Sequence, residues 1–322
     1  MSFMLRVFKM SICVVFIFLY GCSSSPEKFT PSPGESVHIT SDTFEKLVDL
    51  NAKGDVVAKS ALGILYKDGK LIHSNYDTAR ELLIEAANQG DSQAEYIIGL
   101  MHGSGEWILH IRKEYEKFQW VEKSALHGYP EAMYMMGNYY GTGGYCDGCP
   151  KQDLEKAFVW WFKAMLSGNL KAKLSICKAY SSGKGIQKDL KRAFNCFYEL
   201  ADRDYAGGAG NNPFTKTRFA KFYVCKAFDK GIGIEKNIDK AIGCYLELGE
   251  LGYKKAALKL GNYFDSGLDV KEDLVLAYMW YRIAKDFSYI YVLKKRMSPE
   301  DIMQGERLVS LWTWSHSAIN RM

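Results

Sequence analysis

Proline is scarce in this chain, with 7 in 322 residues against 29 glycines. So few prolines argue against a β-rich fold full of turns. The histidines His38, His73, His102, His110, His127 and His316 are isolated, and no two stand three or four apart. That excludes a helical histidine pair for a metal. No glycine-rich loop ends in Gly-Lys-Ser/Thr, so that type of phosphate cradle is missing. An excess of one charge is missing too. Lys and Arg total 42 and Asp and Glu 37, a net +5 that is too small to argue for nucleic acid. An apolar share of 48% and a charged share of 25% exclude wholesale disorder.

What is present begins with residues 1–21. Arg6 and Lys9 precede an apolar run from Met10 to Tyr20, then Gly21-Cys22-Ser23. The run is about half of the ~20 residues that a membrane-spanning helix needs. A basic start, a short apolar stretch and a small residue before the break read as a secretory signal. Leu19-Tyr20-Gly21-Cys22 resembles the lipobox of bacterial lipoproteins, which implies acylation of Cys22 as the first mature residue. A plainly cleaved signal is the alternative. Residues 22–36, rich in Ser and Pro, then form a tether. Ser23 after the cysteine implies sorting to the outer membrane, facing the periplasm, rather than retention in the inner one. Loss of residues 1–21 leaves a charge of +3, with no case for a polybasic lipid-binding patch.

A period organises the rest. Ala, Gly or Cys, an aromatic or His, and Gly recur at one spacing. They are Ala58, Gly63, Tyr66 and Gly69, then Ala94, Gly99, His102 and Gly105. Ala132, Gly137, Tyr140 and Gly143 follow, then Ala172, Cys177, Tyr180 and Gly183. The last copies are Ala220, Cys225, Phe228, Gly231 and Ala256, Gly261, Phe264, Gly267. Leu62, Ile98, Met136, Ile176, Val224 and Leu260 complete one apolar stripe on a helix, here helix A.

A second helix, B, opens at Asn75, Lys113, Asp153, Asp189, Asn237 and Asp273. Five of these are residues that cap a helix start. Helix B is expected to end at Gly90, Gly128, Gly168, Asp204, Gly252 and Ser288. Within it, Leu82, Trp120, Trp160, Cys196, Cys244 and Trp280 share one column. The next column is Leu83, Val121, Trp161, Phe197, Tyr245 and Tyr281. The alanines stand 36, 38, 40, 48 and 36 residues apart. The extra residues fall in turns, including twelve near Ala206–Thr217, as a helical solenoid tolerates.

These residues resemble the Sel-one-like repeat family, a relative of the tetratricopeptide repeat. Copy three carries the resemblance best: Ala132, Met136-Gly137, Tyr140, Gly143, Asp153, Lys156-Ala157, Trp160-Trp161, Lys163-Ala164 and Gly168. Copy two departs most, with His102, Lys113 and Lys117 in place of an aromatic, a cap and an alanine. The resemblance implies an all-α, right-handed α/α solenoid. The expected layout is an N-terminal cap at 37–53, six repeats and the start of a seventh over 54–297, and a capping helix at 298–322. Phe44, Leu47, Val48 and Leu50 should cover the first repeat. Ser298-Pro299-Glu300-Asp301 should open the last helix, with a stripe of Ile302, Met303, Leu308, Leu311 and Trp312.

The cysteines sort by column. Where helix A has Gly63, Gly99, Gly137 or Gly261, the first helix-B column offers Leu82, Trp120, Trp160 or Trp280. Where helix A has Cys177 or Cys225, that column offers Cys196 or Cys244. This predicts disulfides Cys177–Cys196 and Cys225–Cys244 in an oxidising compartment. Four buried thiols are the alternative. Cys146 and Cys149 sit in a Gly-rich turn and read as a small loop-closing disulfide, since one CxxC cannot supply four zinc ligands.

Ser175-Ile176-Cys177-Lys178 and Ser181-Ser182-Gly183-Lys184 match Ser-x-x-Lys, a nucleophile–amine spacing in penicillin-binding enzymes. Some cysteine-rich repeat relatives are linked to β-lactams, so a β-lactam-binding or β-lactamase-like protein is the alternative function. Companion Ser-Asp-Asn and Lys-Thr-Gly motifs are absent. The expected function is a non-enzymatic scaffold without cofactor or metal, lipid-anchored in the bacterial envelope, binding a protein or peptide and no nucleic acid. In this resemblance helix A lines the concave side, which nominates Tyr134, Asn138, Lys173, Lys221, Lys259 and Asn262 as the binding face.

Overall fold

A computed structural model describes residues 41–69, 73–106, 113–202 and 213–319. The leader, Cys22 and the tether lie outside the described residues, as do His38 and His110. Fifteen helices and no strand occupy the described residues. An opening helix α1 (Ser41–Ala52) precedes six hairpins. These pair α2 (Val56–Asp68) with α3 (Tyr76–Asn88), α4 (Ser92–Ser104) with α5 (Glu114–Leu126), and α6 (Pro130–Thr142) with α7 (Leu154–Leu166). The next pairs are α8 (Leu170–Ser182) with α9 (Leu190–Ala201), α10 (Pro213–Lys230) with α11 (Ile238–Glu250), and α12 (Lys254–Ser266) with α13 (Leu274–Ala284). A short α14 (Phe287–Lys294) and a long α15 (Pro299–Ile319) close the array. It is an all-α solenoid of helix–turn–helix repeats in which each helix packs chiefly on its chain neighbours.

Local chemistry sets the helix ends. Asn75, Asp153, Asp189, Asn237 and Asp273 accept backbone N–H bonds from the first turn of helix B, and Lys113 makes no such bond. The structure adds Asp55, Asp91 and Asn169, which cap helix A by bonding the amides of Ala58, Ala94 and Ala172. Lys156, Arg192 and Lys240, three residues beyond their caps, lie over Tyr140, Tyr180 and Phe228 at 5.6, 5.9 and 5.7 Å. These cation–π contacts tie the start of helix B to the end of helix A. The glycines that close helix A all have positive φ. The sixth helix B departs from the expected end. It stops at Ala284 on Lys285, in left-handed backbone with φ 53°, and Ser288 belongs to α14. In the fourth hairpin helix B stops at Ala201, and Asp204 lies outside the described residues.

Small residues let the paired helices touch. Ala58, Ala94, Ala132, Ala172, Ala220 and Ala256 are buried in helix A, and Ala79, Ala157, Ala193, Ala241 and Ala277 in helix B. The glycine column is covered, but not by the expected residues. Side chains over Gly63, Gly99, Gly137 and Gly261 come chiefly from Leu83, Val121, Trp161 and Tyr281, the column one residue further on. The earlier column lies at the edge of the hairpin, and its large members reach back to the preceding repeat. Trp280 packs on Gly249, and Trp160 joins Phe118, Val121 and Ala125. A short cysteine at that column stays within its own hairpin. Cys177 is joined to Cys196 and Cys225 to Cys244, each with Cα atoms 5.4 Å apart. Cys146 is joined to Cys149 across 5.2 Å.

Three further expectations change. The insertion before repeat five is not all turn, because residues 213–217 lengthen α10 to 18 residues. Pro213 takes the first helical position, which suits its missing N–H. At the N-terminus Phe44 and Leu47 turn inward, Phe44 edge-on to Tyr66, while Val48 and Leu50 are exposed. At the C-terminus Ser298 and Asp301 form a reciprocal capping box. Yet Met303 and Leu311 face solvent, because α15 meets α13 through the bare backbone of Gly305 against the Tyr278 ring. Tyr278 donates to Glu306 at 2.6 Å beside that contact.

Turns register one repeat on the next. Gly233 has φ 73°, and its backbone lies against the carbonyl of Leu190 in the preceding helix B. Gly185 meets Leu154 in the same way. Gly90 has φ 88° but open space around it. Gly233→Ala should therefore cost more than about 2 kcal/mol and Gly90→Ala about 1 kcal/mol. Equal urea midpoints for the two variants would refute this account of the turn. Replacing Cys177 and Cys196 together by Ala should lower stability by about 3 kcal/mol under oxidising conditions. No difference from the oxidised parent in a urea melt would show the bridge to be energetically idle.

Candidate binding face

Exposure divides helix A into two kinds of position. One kind is turned toward helix B and the neighbouring repeats. The other is more open, at the second, sixth, ninth and thirteenth residues after the cap, although the ninth-position Asn138 and Asn262 are engaged by helix B. In repeat four these outward positions are Lys171, Ser175, Lys178 and Ser182. In repeat five the same positions hold Phe219 and Tyr223, which pack on the buried Phe197 ring, and Lys226 and Lys230, which are exposed. Lys178 lies over the Phe219 ring at 4.9 Å, so the outward columns of adjacent repeats meet on one face.

Against that frame, the six nominated residues separate. Lys173 and Lys221 are not available for a partner, because each is ion-paired across its hairpin, to Glu199 at 2.9 Å and to Glu247. Lys59 pairs with Glu85 at 2.7 Å in the same way. Asn138 and Asn262 are also engaged, accepting from Trp161 Nε1 at 3.1 Å and from the Tyr281 hydroxyl at 2.9 Å. Both asparagines follow the glycine under those rings, so the glycine makes room and the asparagine satisfies the buried donor. Tyr134 is half-buried. Lys259 is outward and lies 3.5 Å from the buried Asp229.

Repeat two reverses the cross-hairpin pair. Glu95, fully buried, stands where other repeats have lysine, and contacts Lys123 at 3.1 Å and His127 at 2.8 Å. The Ala-column exception Lys117 is accommodated as well. Its aliphatic stem covers Gly103 and its amine pairs with Glu114 at 3.1 Å. The third exception, His102, is buried at the aromatic position. Burial holds its imidazole below the ordinary value; Glu116 opposes that shift and Lys113 adds to it.

Deeper polar groups serve the fold. Asp229, 5% exposed, accepts from Tyr263 at 2.8 Å. Burial, then Asp229 itself, pushes the Tyr263 and Tyr245 hydroxyls well above the ordinary tyrosine range. The Ser-x-x-Lys matches are structural too. Ser175 donates to the carbonyl of Lys171, and Ser181 and Ser182 to that of Lys178. Cys177 is in its disulfide, and the Lys178 amine faces Phe219. The CxxC turn rests on α5, with Gly148 against Tyr115. Among the described residues no three His, Cys, Asp or Glu side chains could share a metal ion. No described helix is long and apolar enough to cross a membrane.

The family model for the Sel1 repeat matches residues 56–91, 130–169, 171–205, 219–253 and 254–286, more than half of the chain. The chain belongs to the Sel1 repeat family. The unmatched stretch is repeat two, where His102, Lys113 and Lys117 depart from the pattern. A crystal structure of a Sel1 repeat protein from Oxalobacter formigenes is similar, with a TM-score of 0.52 and 22% identity over 77% of this chain and 88% of that one. A protective antigen of uropathogenic Escherichia coli strains, with an SLR fold, is 17% identical over 84% of this chain and 94% of its own, at a TM-score of 0.30. An immunity protein from Pseudomonas aeruginosa is 16% identical over 71% and 81%, at 0.35. The first likeness shows the shared Sel1 fold, and the two lower scores add nothing to it.

The sign of the His102 effect follows from its burial. The folded imidazole binds its proton less well than the unfolded one. Stability should then fall as pH drops through about 6.5, the ordinary value, and continue to fall until the folded group protonates as well. His102→Phe should flatten that slope in urea midpoints measured between pH 7.5 and 5. An unchanged slope would place the titration elsewhere.

Proposed function

We propose that this Sel1 repeat protein is a lipid-anchored scaffold of the bacterial envelope, and that its helix-A face holds a segment of another protein. One observation carries the reading. Caps, disulfides and cross-hairpin ion pairs use the inward side chains of each hairpin, while Val57, Lys178, Lys226 and Lys255 on the outward columns of helix A stay exposed from repeat to repeat. Extended faces of this kind are what stacked repeats offer a partner. The anchor is read from Gly21-Cys22-Ser23 and the apolar run before it, and the periplasmic face of the outer membrane from Ser23. Three disulfides suit an oxidising compartment.

Two measurements test it. A photo-cross-linking amino acid at Leu100 or Lys226, on the helix-A face, should give protein adducts in living cells. The same probe at Phe162, an exposed residue of helix B, should give none. Equal yields at all three sites would remove the assignment of the face. For the anchor, Cys22→Ser should move the protein from the membrane fraction to the soluble one, and intact mass should show a lipid on the parent. An unmodified Cys22 on the mature protein would refute lipidation.

A further inference from the structure

We infer that the helix-A face of repeats four to six binds an extended acidic polypeptide segment. This rests on the scaffold reading and gives it a ligand class and a location. The outward columns there hold Lys171 and Lys178 on α8, Lys226 and Lys230 on α10, and Lys255 and Lys259 on α12. The fold has sorted the lysines of these helices. Lys173 and Lys221 point to helix B and are neutralised by Glu199 and Glu247. Lys178, Lys226 and Lys255 have no ion-pair partner among the described residues, while the charge of Lys171 acts on the carboxylate of Glu131 in the preceding repeat. Lys230 and Lys259 share the single carboxylate of Asp229, at 3.8 and 3.5 Å, which also accepts from Tyr263. A positive track therefore crosses three repeats of a chain whose net charge is only +5.

The track is local. In repeats one and two the same columns hold the large apolar residues Val57, Ile64, Ile97 and Leu100, of which Ile64 and Ile97 pack partly on the core, and repeat three holds Glu131 and Met135 there. A ligand running the length of the face thus meets apolar side chains first and then ammonium groups. A polypeptide can alternate such chemistry along its length, whereas a phosphate backbone cannot. The lysine rows stand on α8, α10 and α12, the first helices of three successive hairpins, so an extended ligand crossing them meets ammonium groups at intervals along its length. Carboxylates spaced along the segment match that arrangement. Phe219 and Tyr223 form the floor between the rows, Tyr223 stacked on Phe197 with ring centroids 3.9 Å apart.

The test uses the full-length protein in detergent and two fluorescein-labelled dodecapeptides. One carries Glu at every third position; its twin carries Gln there. By fluorescence anisotropy the Glu peptide should bind at least tenfold tighter than its twin, with the gap closing as salt rises. The double variant Lys178→Glu/Lys226→Glu should remove the gap, and Lys178→Ala/Lys226→Ala replaces it if the charge reversals do not fold. Lys191→Glu, on the exposed side of α9, should leave the gap intact. Equal binding of the two peptides overturns the inference, as does an equal loss in Lys191→Glu. Tighter binding of phosphatidylglycerol vesicles or of a single-stranded DNA twelvemer, lost in the same double variant, also overturns it. If the peptides fail while the probe at Lys226 still traps protein, the acidic assignment falls and the scaffold reading stands. If that probe traps nothing, both fall.

Discussion

Close approach of two helices over a column of alanine and glycine is the contact on which every hairpin depends. Ala58 and Ala79, or Ala172 and Ala193, are buried where the two helices approach. The glycine one turn further on leaves a hollow that a single large side chain of helix B fills, as Trp161 fills it over Gly137. Interiors packed at crystal-like density tolerate no void there. In repeats four and five cysteine takes the place of glycine and is bonded to the earlier helix-B column, while the rings of Phe197 and Tyr245 in the next column stay buried.

Once that contact is made, the charges fall into two groups. Cross-hairpin lysines meet glutamates in repeats one, four and five, and Glu95 meets Lys123 with the signs exchanged in repeat two. The exchange shows that the sign order is not fixed, and repeats three and six do without the pair, with Met133 and Ala257 at that position. Exposed pairs of this type contribute about 0–1 kcal/mol each, so their effect is to fix alignment more than to supply stability. On the outward columns only some charges are paired, Lys230 and Lys259 with Asp229, and the character changes from largely apolar in the first repeats to largely basic in the last.

Repeat two shows how far the pattern can bend. The family model passes over it, yet α4 and α5 pack like their neighbours, with Ala94, Ile98 and Met101 fully buried. Lys117 replaces the usual alanine because Gly103 leaves space for its stem, and two substitutions that look like defects singly are compatible together. The cost shows at His102, where an imidazole fills an aromatic slot and carries a proton-binding penalty with it.

By itself the sequence determined the number of hairpins, most of their boundaries and the cysteine partners, because a repeat states each requirement six times and caps, glycines and alanines act through local geometry. Helix phase was not legible. Whether Trp160 or Trp161 covers Gly137 depends on a rotation of one residue, which only the packed neighbours decide. The binding face suffered for the same reason. Lys173 and Lys178 look alike in the sequence, but one lies against Glu199 and the other over Phe219. The terminal caps were misread where burial depends on a bare backbone, as at Gly305, rather than on an apolar stripe. Composition and period fix a fold built from local contacts; which of its charges remain unpaired is settled only when helices from different repeats are brought together.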